Sequence, residues 1–261
     1  MNWVSLAAWG LALVCGVMLV LWMIHFPIRN AAIVDFGWGF NLALLGVGYA
    51  CFGQGFVIRA AMLGVMTAVW GLRLSLYLLF DRIIGHPEEG RYQELRRQWK
   101  THVEAKFLVF YLFQAVLCVL MATPFLAAAV NPAPRIHWLE FIAAGLWCIA
   151  IIGEIAADSQ LAKFKGNPAN KCRTCQIGLW RYSRHPNYFF EWLIWVALAL
   201  FATASPYGYF GWISPALMLY FLLKVTGIPA TEAQALRSRG DEYRKYQQTT
   251  SAFIPWFPKA L

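Results

Sequence analysis

Seven apolar runs divide the chain, at 3–25, 31–53, 58–80, 107–130, 138–157, 188–204 and 208–227. Each approaches the roughly 20 residues that an α-helix needs to cross a bilayer core. None shows the period-two alternation of a strand, and backbone groups in lipid must pair within their own segment, so each run predicts a helix. The sixth and seventh are parted only by the turn signal Ser205-Pro-Tyr-Gly-Tyr209. The expected fold is all-α: a polytopic membrane protein of seven transmembrane helices, forming a single domain over 1–261 with no separate soluble part. The stretch 1–24 lacks a basic leader and a small-residue cleavage site, which predicts a retained first helix rather than a signal peptide.

Basic residues orient this bundle. Arg82, Arg91, Arg96, Arg97, Lys100 and Lys106 follow the third run. Lys163, Lys165, Lys171, Arg173, Arg181 and Arg184 follow the fifth, and Arg237, Arg239, Arg244, Lys245 and Lys259 lie in the tail. The alternate connections hold Arg59 and Arg135. By the positive-inside rule the three basic segments are cytoplasmic, the N-terminus is outside and the C-terminus inside, a parity that seven spans satisfy.

Composition agrees with a membrane protein: 60% of residues are hydrophobic and 13% charged. In that setting the net charge of +9 is explained by topology and attraction to anionic lipid, without nucleic acid or an obligatory protein partner. The abundant Trp, Tyr and Phe suit interfacial belts. Four of the six cysteines sit in apolar runs, and Cys172-Arg-Thr-Cys175, without a second pair, does not make a zinc site.

The chemistry lies in ionisable residues set within or at the edges of the runs, where an unpaired charge costs on the order of 3 kcal/mol or more. These are Asp35, Arg73, Glu140, Glu154, Asp158, Glu191 and Lys224. Glu140 and Lys224 are close enough to run ends to snorkel outward. Glu154 and Asp158 are four apart and share a helical face, as do Asn187 and Glu191. Both pairs point toward the basic 163–184 segment. Cations for phosphates beside acids and amides for ribose and amide groups are what an anionic nucleotide requires. No P-loop or G-x-G-x-x-G sits between a strand and a helix, so such a nucleotide must be held by helices in a cytoplasmic pocket. His185, directly before Pro186, is equally suited to acid–base work and to capping the helix start. Thr231 to Tyr246 forms a polar amphipathic stretch, and the closing Phe253-Ile-Pro-Trp-Phe-Pro258 is that of an interfacial anchor.

With Gly178-Leu-Trp-Arg-Tyr-Ser-Arg-His-Pro-Asn-Tyr-Phe-Phe-Glu191, the segment from Asp158 to Lys165 and the tail from Tyr243 to Pro255 in view, the chain resembles the bacterial branch of the steroid 5α-reductase-like membrane family. The likeness is strong from Glu154 to the C-terminus and looser before it. It implies a seven-helix enzyme of the bacterial inner membrane that binds NADPH from the cytoplasmic side. Its substrate would be a lipophilic enone lodged between helices, with hydride passing to the β-carbon. Asp158, Lys165, Arg173, Tyr182, Asn187 and Glu191 match the family's cofactor-contacting positions, and Arg73 matches a basic position on the third helix. Glu154, His185, Tyr188, Glu232 and Tyr243 complete the implied cofactor set.

The resemblance also implies an acid on the second helix and a tyrosine on the third as proton donors. Asp35 supplies the acid. Trp70 holds the place expected for the tyrosine, which leaves Tyr77, two turns on, as the candidate. Shielded from water, a neutral Asp35 would donate a hydrogen bond to the substrate carbonyl as enolate charge develops. A helix cap near Asn30 and Ala31 is the other role open to it. Arg184-His-Pro-Asn-Tyr188 is also similar to the cofactor motif of isoprenylcysteine carboxyl methyltransferase, which implies S-adenosylmethionine as the alternative ligand. That cofactor carries a sulfonium and no phosphate, so the basic 163–184 segment favours NADPH.

Overall fold

A computed structural model describes residues 1–259, and among these the regular structure is helical, with one isolated bridge between Ser183 and Ser251. Six helical segments are long and apolar enough to cross a membrane: Trp3–Ile28, Ile33–Phe52, Val57–Ile83, Val103–Met121, Trp138–Lys165 and Gly208–Arg239. The chain divides into two compact units, Met1–Glu140 with Phe201–Gly211, and Phe141–Leu200 with the remainder from Trp212.

The first unit contains α1 (Trp3–Ile28), α2 (Ile33–Phe52), α3 (Val57–Leu78), α4 (Gly90–Trp99), α5 (Val103–Met121) and α6 (Thr123–Ala129). The apolar run 107–130 is thus two helices, broken at Ala122 before Pro124, whose missing N–H suits the first turn of a new helix and not the interior of an old one. Asn2 starts α1 by accepting from the Ser5 amide at 2.8 Å. The most buried of the candidate spans is α2. Small residues let it approach α3 closely: a Cβ at Gly71 would stand 2.7 Å from the Gly39 carbonyl and 2.9 Å from the Ala43 side chain. Past Leu78 the helix loosens into a π-turn, Leu79–Ile83, and a second such turn, Phe221–Val225, lies in the last span.

Polar brackets close this unit at both ends. At one, Arg59 and Glu140 form a fully buried ion pair. The guanidinium also donates to the carbonyls of Asn131 and Ala133, each at 3.0 Å, and of Arg135 at 2.7 Å. Snorkelling of Glu140 is therefore overturned: an interior cation lies within reach, and the His137 amide donates to the same carboxylate at 2.7 Å. At the other end, α4 lies across the helix termini. Glu88 accepts from the Ala31 amide at 2.8 Å, and Arg96 joins Glu88 to Glu104 with bonds of 3.0 and 2.9 Å. Glu104 in turn lies 2.7 Å from the Nε2 of buried His25.

The second unit holds most of α7 (Trp138–Lys165), α8 (Pro186–Thr203), α9 (Ile213–Tyr220), α10 (Ile228–Arg239) and α11 (Asp241–Thr249). The fifth apolar run continues as helix for eight residues beyond its hydrophobic limit, because Asp158 to Lys165 are adequate helix formers that periodic hydrophobicity does not register. α8 is 18 residues long and is not among the six spans; Asn187 and Glu191 sit in its first turns. Gly240, at φ 56°, separates α10 from α11 in a left-handed conformation that glycine adopts without strain.

Truncating Arg59 leaves Glu140 buried without its counter-ion. Arg59→Ala is expected to cost about 3–5 kcal/mol. Thermal unfolding in detergent should show a large fall in melting temperature, and the double variant Arg59→Met/Glu140→Leu should recover much of it.

Candidate functional site

In the second unit, α7 and α8 are joined by a polar rung. Asn187 Nδ2 donates to Asp158 Oδ1 at 3.3 Å, with Asp158 buried. The two helices run toward and away from the connecting segment 166–185. Glu154, four residues before Asp158, and Glu191, four after Asn187, therefore occupy the next layer inward on the same two faces. Both are buried. Glu191 accepts from the Trp195 indole one turn on, at 3.0 Å. At this level Gly153 leaves room for the Phe190 ring, which a Cβ there would overlap. One member of each sequence-expected pair thus meets the other pair, Asp158 with Asn187, while Glu154 and Glu191 are buried one turn further along their own helices.

The return from α7 to α8 is stitched back onto α7. Gln160 Oε1 accepts from the Leu179 amide at 2.8 Å, and the Trp180 indole donates to the Ala157 carbonyl at 2.9 Å. Gly178, at φ 56°, makes the turn above Gln160. Between these anchors lie the exposed cations Lys163, Lys165, Lys171 and Arg173, and beyond them Arg181. The Thr174 amide donates to Glu242 at 2.9 Å, which ties this basic segment to α11. Burial raises the Cys175 thiol above its ordinary pKa although Arg239 and Lys165 oppose the shift, so it is poorly suited to be a thiolate nucleophile. Among the described residues no group of three His, Cys, Asp or Glu side chains is placed to hold a metal.

Arg184 departs from its expected place among the free cations. Its Nε donates to Glu232 at 2.7 Å, and its Nη1 to the carbonyls of Gln247 and Thr250 at 2.9 and 2.6 Å. Glu232 also has His185 Nε2 at 3.3 Å, the Gln247 amide at 2.8 Å and the Tyr243 hydroxyl at 3.4 Å. One carboxylate therefore gathers the start of α8, α10 and α11. His185 is buried, stacks on Tyr188 at 5.3 Å between ring centroids, and faces this acid. Tyr188 reaches Thr231 on α10 at 3.2 Å. Burial first, and the Glu232 charge second, push the Tyr243 phenol up to about 12, so it remains a donor. Arg184, His185, Glu232 and Tyr243 thus brace one another. Gln247, the other donor to Glu232, had no signal in the sequence. Tyr182 is half-buried, its ring edge-on to Phe257 at 6.0 Å.

Asp35, Arg73 and Tyr77 belong to the first unit. Arg73 and Tyr77 are half-buried and, with buried Trp70, lie along one face of α3. Asp35 accepts at Oδ2 from Arg91 at 2.6 Å and at Oδ1 from the Tyr92 hydroxyl at 2.8 Å, with Arg82 3.9 Å away. Both oxygens act as acceptors, which differs from the hydrogen-bond donor expected for this side chain. Asp35 does not cap α2 either: the N-cap residue is Ala32, with no side-chain capping bond, and Asn30 accepts from the Ala32 amide at 3.0 Å just ahead of the helix. Tyr92 is fully buried, and burial together with the charge of Asp35 holds its phenol well above the ordinary tyrosine value. Sequence reasoning placed no function on Tyr92, because α4 is polar and 57 residues separate it from Asp35.

A family model described as "Protein of unknown function (DUF1295)" matches residues 21–250. An uncharacterized protein of Schizosaccharomyces pombe is 24% identical over an alignment covering 90% of this chain and 76% of the yeast protein. No solved structure matches the chain.

If the Glu232 carboxylate is the brace, its charge matters more than any single donor. Glu232→Gln is expected to cost about 1.5–3 kcal/mol, and Tyr243→Phe about 1 kcal/mol or less. Unfolding measurements in detergent check the order, with hydrogen exchange over 183–189 rising in the first variant and little changed in the second.

Proposed function

The chain belongs to the DUF1295 family, and from that premise we propose that it is an NADPH-dependent membrane reductase acting on the carbon–carbon double bond of a lipophilic enone. The observation that carries this reading is the Asp158–Asn187 hydrogen bond, with buried Glu154 and Glu191 each one turn further along its own helix, at the end where exposed lysines and arginines collect. The donor set fits the cofactor. Lys163, Lys165, Lys171 and Arg173 would hold phosphates, and the acids and amide would take ribose hydroxyls and the carboxamide. Arg184 is excluded from that task by its pairing with Glu232. With Tyr243 and His185 it would act by fixing the entry of α8 and hence the depth of Asn187 and Glu191.

When bound, NADPH supplies a hydride to the β-carbon of the enone. The protein would orient the substrate and manage the proton. For the proton, the resemblance assigns Asp35 and Tyr77; because Asp35 accepts from Arg91 and the Tyr92 hydroxyl, it would act as a carboxylate that orients a donor and not as the donor itself. The steroid 5α-reductase-like resemblance supports this assignment, and a lipophilic substrate is consistent with a chain whose six candidate spans are predominantly apolar.

The same reading takes α8 as a seventh membrane-embedded helix, apolar from Trp192 onward, which places the N-terminus outside and the C-terminus in the cytoplasm. The bacterial inner membrane is the location that the resemblance implies.

Purified protein titrated with NADPH at up to millimolar concentration should show a rising melting temperature, because a ligand of the folded state stabilises it. Glu191→Ala and Asn187→Ala should remove that rise while leaving expression intact. A rise with S-adenosylmethionine and none with NADPH would instead establish the methyltransferase alternative.

A further inference from the structure

The closing strap, residues 250–259, lies along the segment that leads into α8. The Arg184 amide donates to the Ser251 carbonyl and the Ser183 hydroxyl to the Phe253 carbonyl, each at 2.8 Å. The Trp256 amide donates to the Tyr182 carbonyl at 2.9 Å and the Lys259 amide to that of Thr249 at 2.8 Å. Phe253 is buried, edge-on to Phe189 and Trp192 of α8 at 5.7 and 5.8 Å. Pro255 and Pro258 further restrict the backbone.

This fixed backbone presents three large apolar side chains outward. Ile254 is 59% exposed, Trp256 69% and Phe257 75%. A loosely tethered tail would lose conformational entropy on ordering such groups, but this one is already ordered by its backbone bonds. Exposed cations, Arg181, Lys245 and Lys259, flank the same region of the chain.

We propose that Ile254, Trp256 and Phe257 form a preformed wedge that seats in the interfacial zone of the bilayer, with Arg181, Lys245 and Lys259 on anionic headgroups, and that this seating holds Tyr182 to His185 in place. Two features select the lipid surface as the occupant. The strap is bonded to residues 182–184, directly ahead of the first turn of α8, and therefore lies at a helix end, the level at which tryptophan partitions to the headgroup boundary. The flanking charge is positive, complementary to anionic lipid. The outward face wets the membrane while the inward face carries the hydrogen bonds that order the Arg184-His185 entry.

The full-length protein with Phe257 replaced by the photo-crosslinker p-benzoylphenylalanine, reconstituted in nanodiscs of phosphatidylcholine and phosphatidylglycerol, gives the direct test. Irradiation and mass analysis should find lipid adducts at position 257. Adducts to a second copy of the chain, or no lipid adduct, would overturn the wedge. In the same nanodiscs the double variant Trp256→Ser/Phe257→Ser should show several-fold faster hydrogen exchange over 182–189, with exchange in α2 and α3 unchanged. Exchange over 182–189 equal to that of the unmodified chain would overturn the coupling. Neither measurement involves NADPH, so failure here is separable from failure of the reductase reading.

Discussion

Lipid offers polar groups no water, so each charge drawn below a helix end must bring its partner with it. The recurring solution in this protein is a carboxylate that serves several donors at once. Glu140 holds Arg59 and the His137 amide, Asp35 holds Arg91 and Tyr92, and Glu232 holds Arg184, Gln247, Tyr243 and His185. With 13 acids against 22 lysines and arginines, anions are the scarce component, and where they stand decides which cations become structural. The remaining basic residues are left for topology, lipid or ligand.

That division reshapes the meaning of the Arg184-His-Pro-Asn-Tyr188 motif. Its first two side chains turn toward Glu232 and the strands of backbone beneath it, and its asparagine turns toward Asp158 on α7. The motif works as a junction: one half anchors the entry of α8 and the other sets a polar layer in the bundle. A change in the anchor would therefore be felt at the layer without any direct contact with a bound ligand.

Six of the seven apolar runs were legible as candidate spans because hydropathy and length leave few alternatives to a helix, whereas the sixth run became α8, which is not among them. The i, i+4 spacing also put Glu154 with Asp158 and Asn187 with Glu191 on common faces. What the sequence could not convey is long-range pairing. Glu140 looked peripheral because its partner, Arg59, lies 81 residues away, and Arg184 looked like one of several equivalent loop cations although its anchor is 48 residues on. Tyr92 sits in a polar helix with no apolar signal, so nothing marked it as a partner for Asp35. The break between α5 and α6 was hidden for the opposite reason: apart from Thr123 the residues around Ala122 and Pro124 are apolar, and hydropathy does not register a backbone interruption.

The π-turns at Leu79–Ile83 and Phe221–Val225 carry a consequence for how side chains are phased. Each widens the helix locally, so a wheel drawn at 3.6 residues per turn through either segment accumulates an error approaching one position, or about 100° of rotation. Arg82 lies within the first π-turn, 3.4 Å from Glu89 and 3.9 Å from Asp35. Alignments of relatives that lack the extra residue would need a one-residue gap inside a continuous helix, at 79–83 or 221–225, for lipid-facing and inward-facing positions to remain in register.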